Sequence, residues 1–131
     1  MGAYRRIVAW QAAHELAVEV YRVTEGWPKH ERYGLVAQVR RAAFSAPANI
    51  VEGSVRRGPR EFRRFLDIAL ASISEVEYAL EFATAVGIAP ASDAERLTPL
   101  IRRAGGICFL LARSLDRPTS TPPATPPPPP S

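Results

Sequence analysis

Between Phe62 and Ala83 the apolar residues Phe62, Leu66, Ala69, Ile73, Val76, Leu80 and Ala83 alternate by four and three. That is a heptad seam, which a helix presents on one side and a strand cannot. Gly58-Pro59 opens the helix, because Gly is a tolerable cap and Pro suits the first helical position, and Gly87 closes it. About 28 residues of helix reach about 42 Å, long for a chain of 131 residues. Phe65, Ile68, Tyr78, Phe82 and Val86 add apolar surface beside the seam. So long a seam needs other helices to bury it. The predicted fold class is all-α, an antiparallel up-down-up-down four-helix bundle over residues 1–116 with a disordered Pro-rich tail over residues 117–131.

The other helices follow from periodicity and breakers. Helix one is predicted from about Ala9 to Glu25, with Trp10, Ala13, Ala17, Val20 and Thr24 on its core side and Leu16, Val18 and Val23 widening it. Gly26, Trp27 and Pro28 end it, and the short connection through Lys29, His30 and Glu31 suits antiparallel neighbours. Helix four carries Leu100, Ile101, Ala104, Ile107, Cys108, Leu111 and Leu115 on its core face. Ser92 and Glu95 have the spacing of a capping box, while Pro99 predicts either a kink or a start at Thr98. The tail from Arg117 to Ser131 is rich in Pro, Thr and Ser, a composition that samples extended polyproline conformations rather than packing.

Helix two, within the stretch Tyr33–Leu66, has three faces at about 100° per residue. Leu35, Val39, Ala42, Ala43, Ala46 and Ile50 form one apolar side. Phe44, Pro47 and Val51 form a second, with Arg40 beside them. Gln38, Arg41, Ser45, Asn49, Glu52 and Arg56 form a polar stripe. A monomeric surface helix needs one apolar face. The second is read as an oligomer interface of Phe44, Pro47 and Val51; the alternative is a wide core stripe inside a monomer. Pro47 removes a backbone donor and displaces the carbonyl of Ala43, and Ser45 and Asn49 are placed to hydrogen-bond freed groups. The stripe Arg41, Ser45, Asn49 and Glu52 is therefore expected to be withdrawn from solvent, around the kink or against a neighbouring subunit. Gly53 is expected to end the helix in the left-handed conformation.

The same stretch holds Arg40, Arg41, Arg56, Arg57, Arg60, Arg63 and Arg64 against two acids, Glu52 and Glu61. The formal net charge is +4, and of 17 basic residues only Lys29 is lysine. Arginine is the better bidentate partner for phosphate, although the ratio itself follows simply from a composition rich in Ala, Arg and Pro. In an up-down-up-down order, the end of helix two, the start of helix three, the start of helix one and the end of helix four share a pole. That pole gathers Arg5, Arg6, Arg56, Arg57, Arg60, Arg63, Arg64, Arg113 and Arg117. The opposite pole carries Glu25, Glu31, Asp93 and Glu95 against Lys29, Arg32 and Arg96. Arg60 lies in the first turn of helix three, where the macrodipole disfavours a cation and a bound phosphate is favoured. Such a patch suits sequence-tolerant backbone binding; the alternative is a solvated charged end. The candidate nucleic-acid contacts are Arg56, Arg57, Arg60, Arg63 and Arg64, with Arg40 and Arg41.

The chemistry-bearing inventory points away from an enzyme. His14 and His30, the two histidines, have no partner at metal-ligand spacing. No phosphate-binding glycine motif, HExxH motif or nucleophile elbow occurs, and Ser45 has no nearby base in sequence. Glu75, Glu77 and Glu81 read as a solvated or intersubunit acidic face. The lone Cys108 excludes an intrachain disulfide and reads as a small core residue. MGAYRRIVAW lacks the apolar run of a signal peptide, and no segment approaches the ~20 apolar residues of a membrane span, so a cytoplasmic protein without membrane, metal or cofactor is expected.

The run YGL-x-x-Q-V-RRA-x-x-S-x-P-x-N-I-x-EG (Tyr33 to Gly53), then EF-x-x-FL-x-I-A (Glu61 to Ala69) and S-x-x-E-x-E (Ser72 to Glu77), resembles the four-helix-bundle proteins of the 23S rRNA intervening-sequence family. Upstream, Trp10, Ala13, Leu16, Tyr21, Thr24, Pro28, Glu31 and Arg32 also fit. The resemblance covers roughly Ile7 to Leu115 and is specific in the middle and weak after Gly87. It implies an antiparallel four-helix bundle assembling into a ring-like homopentamer with no established enzymatic activity. A similar fold is implied for the accessory proteins of diversity-generating retroelements, basic pentamers that work with a reverse transcriptase and RNA. The chain departs from the family pattern at Gly58, where Ser is usual, and at Gly105-Gly106 in helix four. The expected function is a non-enzymatic, oligomeric nucleic-acid-binding protein acting on RNA. The alternative is a scaffold or accessory protein that docks a partner such as a reverse transcriptase.

Overall fold

The structure, a computed structural model, describes residues 2–116 and 127–130. The described residues form four helices, α1 (Val8–Thr24), α2 (Leu35–Ser54), α3 (Pro59–Ala85) and α4 (Ala91–Leu115), with 3-10 turns at Ala3–Arg6 and Lys29–Glu31. No strand occurs among the described residues. Of the predicted disordered tail, residues 117–126 and 131, with Arg117 among them, lie outside the described residues; residues 127–130 are exposed and carry no regular structure. Among the described residues no helix is long and apolar enough to cross a membrane.

Each helix packs on two others, α1 and α3 both lying against α2 and α4. The largest fully buried side chains come two from each helix: Leu16 and Val20, Val39 and Ile50, Leu66 and Val76, Leu97 and Cys108. Between these layers Ala13, Ala43, Ala46, Ala69, Ala83 and Ala104 are buried, and small residues there let the helix axes approach. The heptad seam is the core face of α3. Phe65 is buried while Phe62 is only half-buried, because the start of α3 rotates Phe65 beneath α2.

Polar links fix which ends meet. Trp27, buried just after α1, donates from Nε1 to Asp93 Oδ2 of α4 at 2.8 Å. Arg96 Nε donates to Glu19 Oε2 at 2.8 Å. Hydrogen bonds from Arg22 first, and from Arg96 beyond it, hold the Glu19 carboxyl below its usual pKa against the opposing effect of burial. At the other end of α4, Arg63 Nη1 donates to the carbonyl of Ala112 at 3.2 Å and pairs with Asp116. Midway, Ser72 Oγ of α3 donates to Ser45 Oγ of α2 at 2.8 Å.

Four local expectations change. Gly53 is helical and does not take a left-handed cap; positive φ occurs at Gly58 (85°) and Gly87 (80°). Gly53 is needed for closeness, since a Cβ there would stand 2.7 Å from Phe65 Cβ and 3.0 Å from Phe62 Cδ1. At Gly58 the positive φ accounts for glycine where the family pattern has Ser, because L side chains are strained there. Ser92 and Glu95 form no capping box: α4 begins at Ala91 behind Pro90 and runs unbroken through Pro99 and Gly105-Gly106. Thr98 Oγ1 instead donates back to the Ala94 carbonyl at 2.6 Å, and Gly105 faces Ile73 of α3. Trp10, read onto the core side of α1, is half-buried against Tyr4 and His14.

The glycines separate packing from propensity. Gly53→Ala forces Phe65 or α2 to move and is expected to destabilise the fold by about 1–3 kcal/mol. Gly106→Ala meets nothing within 4 Å and is expected to stabilise it by about 0.5–1 kcal/mol through helix propensity. Urea denaturation of the two variants beside the parent checks both signs.

Candidate nucleic-acid interface

The α2–α3 connection turns in four residues, Val55–Gly58, all exposed. It sets Arg56 and Arg57 beside the first turns of α3, where Arg60, Arg63 and Arg64 follow. Three of the five are internally paired. Arg56 Nη2 donates to Glu52 Oε1 at 2.5 Å, Arg64 Nε to Glu61 Oε2 at 2.9 Å and Arg63 Nε to Asp67 Oδ1 at 3.0 Å. Arg57 and Arg60 are exposed and form no ion pair among the described residues. The guanidinium carbons of Arg56 and Arg64 stand 5.3 and 4.5 Å from the centroid of the Phe65 ring, close enough for cation–π attraction. The ring of a nearly buried Phe thus orients two arginines at the surface. The exposed pairs contribute little to stability, so a phosphate can replace a carboxylate at small cost. The first turn of α3 has no side-chain cap, so N–H groups of the turn that carries Arg60 lack an intrahelical partner.

Arg40 and Arg41 lie apart from this cluster, because thirteen residues of α2, about 20 Å of rise, carry the chain from Arg41 to Ser54, and Arg56 lies beyond. Arg40 faces the end of α1: Nε donates to Thr24 Oγ1 at 2.8 Å and Nη2 to Glu25 Oε1 at 3.1 Å, with the guanidinium 4.6 Å from the Tyr21 ring centroid. Arg41 is exposed on the polar stripe. That stripe divides. Ser45 and Asn49 are half-buried, with Asn49 Nδ2 donating to the Ser45 carbonyl at 2.8 Å and to Ser45 Oγ at 3.0 Å. With Ser72 they form a polar bridge to α3 and do not serve the Ala43 carbonyl freed by Pro47. Gln38, Arg41 and Glu52 are exposed on this chain.

The second apolar face of α2 is one wall of a groove. Phe44, Pro47 and Val51 line it with Tyr4, Trp10, His14, Val18 and Tyr21, around a volume of about 580 Å³. Phe44 is 64% exposed and so belongs to no monomer core, whereas Pro47 is buried in the groove floor. His14 stacks on Trp10 at 4.7 Å. The sequence pattern of α1 puts Trp10 on the core side, which hides this wall. The spacing of Trp10, His14, Val18 and Tyr21, all on one side of a helix, was the available signal. A second apolar strip runs along α3, where Ile68, Tyr78, Phe82 and Val86 are exposed, with the Tyr78 and Phe82 rings 6.4 Å apart.

Among the described residues no group of three metal-ligating side chains converges. Glu75, Glu77 and Glu81 are exposed. The model of the 23S rRNA-intervening sequence protein family matches residues 5–108. The chain belongs to that family. The match spans α1, α2, α3 and α4 as far as Cys108, and so contains the arginine cluster and all of the groove lining but Tyr4. No curated protein matches the chain in sequence.

Cys108, the last matched residue, is enclosed in the core, and burial pushes its thiol up to about 11 from 9.0. The unfolded chain therefore releases this proton at lower pH than the folded one. Above pH 9 the folded state holds more protons, so stability falls as pH rises from 9 towards 11. Cys108→Ala, which removes this titration at the expense of a small cavity, is expected to flatten that part of the profile. Denaturant midpoints of parent and variant between pH 8 and 11 measure the difference.

Proposed function

We propose that the protein is a non-enzymatic, oligomeric nucleic-acid-binding protein that grips RNA backbone at the arginine-rich end of an up-down-up-down bundle. The observation that carries this reading is the pair Arg57 and Arg60, exposed and unpaired among the described residues beside an uncapped helix start. Around them Arg56, Arg63 and Arg64 hold exposed carboxylates that phosphate can displace. Membership in a family described by an rRNA intervening sequence supports RNA over other polyanions.

In the proposed assembly copies of the chain form a ring, a homopentamer by family resemblance. The α1–α2 groove receives the exposed α3 strip of Ile68, Tyr78 and Phe82 from the next copy. Two apolar surfaces on different faces of one chain suit such a head-to-tail contact. A ring repeats the arginine cluster around one rim, so that weak contacts add through effective concentration. Phe44→Glu is expected to dissociate the assembly into folded monomers, read by sedimentation with helicity retained. A parent that sediments as a monomer at micromolar concentration removes the ring from this account.

Binding itself is tested by titrating structured RNA, DNA duplex and single strands over a salt series. Log affinity should fall linearly with log salt, at a slope of roughly −0.9 per duplex phosphate neutralised. Replacing Arg57, Arg60 and Arg64 by Gln should flatten the slope and weaken all sequences about equally, since phosphate contacts position without specifying. An unchanged affinity in the triple variant at low salt places the site elsewhere. A parent that binds no nucleic acid favours the scaffold reading, in which this end docks an acidic protein surface such as a reverse transcriptase's.

A further inference from the structure

The end of the bundle away from the arginine cluster carries Glu25, Glu31, Asp93 and Glu95 against Lys29, Arg32 and Arg96 in the sequence, and the structure commits three of those acids to fixed partners. Asp93 accepts from Trp27. Glu31 Oε2 accepts from the backbone N–H of Leu35 at 3.2 Å, serving the free start of α2. Glu25 is paired with Arg40 at 3.1 Å. Beside them lies a cleft of about 480 Å³ between the α1–α2 connection and α2, with Lys29, Arg32, Tyr33, Arg40 and the Arg40-paired Glu25 in its wall. Lys29 and Arg32 are exposed and form no ion pair among the described residues. Tyr33 is 89% exposed, the most exposed large hydrophobic residue described. One guanidinium, that of Arg32, stands 5.9 Å from its ring centroid, and the ring has no aromatic partner among the described residues.

An aromatic ring held in water beside cations is the arrangement that binds single strands, with a base stacked on the ring and the backbone held by charge. The cleft is within the size range of small-ligand sites. A duplex cannot use it, because its bases are already stacked on each other. We propose that this cleft is a second nucleic-acid contact, specific for unpaired nucleotides, in which a base stacks on Tyr33 while its phosphate lies between Lys29 and Arg32. It rests on the nucleic-acid reading above and divides the work: the arginine cluster takes backbone of any form, and the Tyr33 cleft takes a single strand. It also gives Arg40 a role, since its bond to Thr24 Oγ1 fixes the inner wall of the cleft.

The test uses the full chain with a single-stranded RNA of about 10 nucleotides, within the usual footprint of such sites, carrying 2-aminopurine, and a duplex of equal length. Tyr33→Ala is expected to weaken single-strand binding about tenfold or more and to abolish the stacking quench, leaving duplex affinity unchanged. Tyr33→Phe restores both, and Lys29→Gln with Arg32→Gln weakens the single strand selectively. Equal single-strand affinity in Tyr33→Ala, an equal loss for duplex, or a changed sedimentation coefficient overturns the proposal; the last would make Tyr33 a subunit contact. A titration with adenosine monophosphate, followed at the Tyr33 ring resonances, separates this idea from the preceding one. Perturbed Tyr33 resonances in a protein that binds no duplex support the cleft while the arginine-cluster reading fails. Duplex binding with Tyr33 untouched by mononucleotide and single strand overturns the cleft alone.

Discussion

The arginine-rich end depends on the close approach of α2 to α3 at Gly53. With no side chain there, Phe65 lies directly against the backbone of α2 and is buried nearly two turns into α3. Its ring then supports the guanidinium groups of Arg56, from the α2–α3 turn, and Arg64, from α3. Residues on two helices and a short turn are thereby held on one surface. A wider crossing would leave Phe65 in solvent and let the two groups of arginines separate. The Asn49–Ser45–Ser72 bridge holds the same pair of helices further along, so the approach at Gly53 is anchored on the core side as well.

Electrostatics at this end is a matter of exchange. Carboxylates of Glu52, Glu61, Asp67 and Asp116 lie among the arginines; all four acids are exposed, as are Arg56 and Arg64, while Arg63 is half-buried. In water such pairs contribute roughly 0–1 kcal/mol, less than charge-assisted, bidentate contacts to phosphate can supply. The acids keep the free protein from concentrating uncompensated charge without blocking the proposed ligand. Arg63 differs, since it also donates to the Ala112 carbonyl and ties α3 to α4; it is partly structural.

Much of the fold was legible because heptad spacing and breakers agree. Phe62 to Ala83 reads as one helix, Gly58-Pro59 opens it, and α3 runs Pro59–Ala85. Glycine misled where its two uses compete. Gly53 reads as a cap, yet it permits contact with a residue twelve positions on, which no local pattern reveals. Ser92 and Glu95 satisfy the spacing of a capping box, but Pro90 already supplies an extended residue before the helix. At the site, the adjacency of Arg56 to Arg64 was legible from a short turn. The cleft at the other end was not, because its character depends on Asp93, Glu31 and Glu25 being occupied by Trp27, the start of α2 and Arg40. Charge counting along the sequence treats those acids as free.

The central claim, that nucleic acid lies on the α2–α3 end, is tested most directly by arginine-selective chemical labelling with and without bound structured RNA, read residue by residue by mass spectrometry. The account predicts strong protection of Arg57 and Arg60, with Arg102, exposed on α4, labelled equally in both states. Equal labelling of Arg57 and Arg60 with and without RNA, under conditions where the RNA is bound, would contradict it.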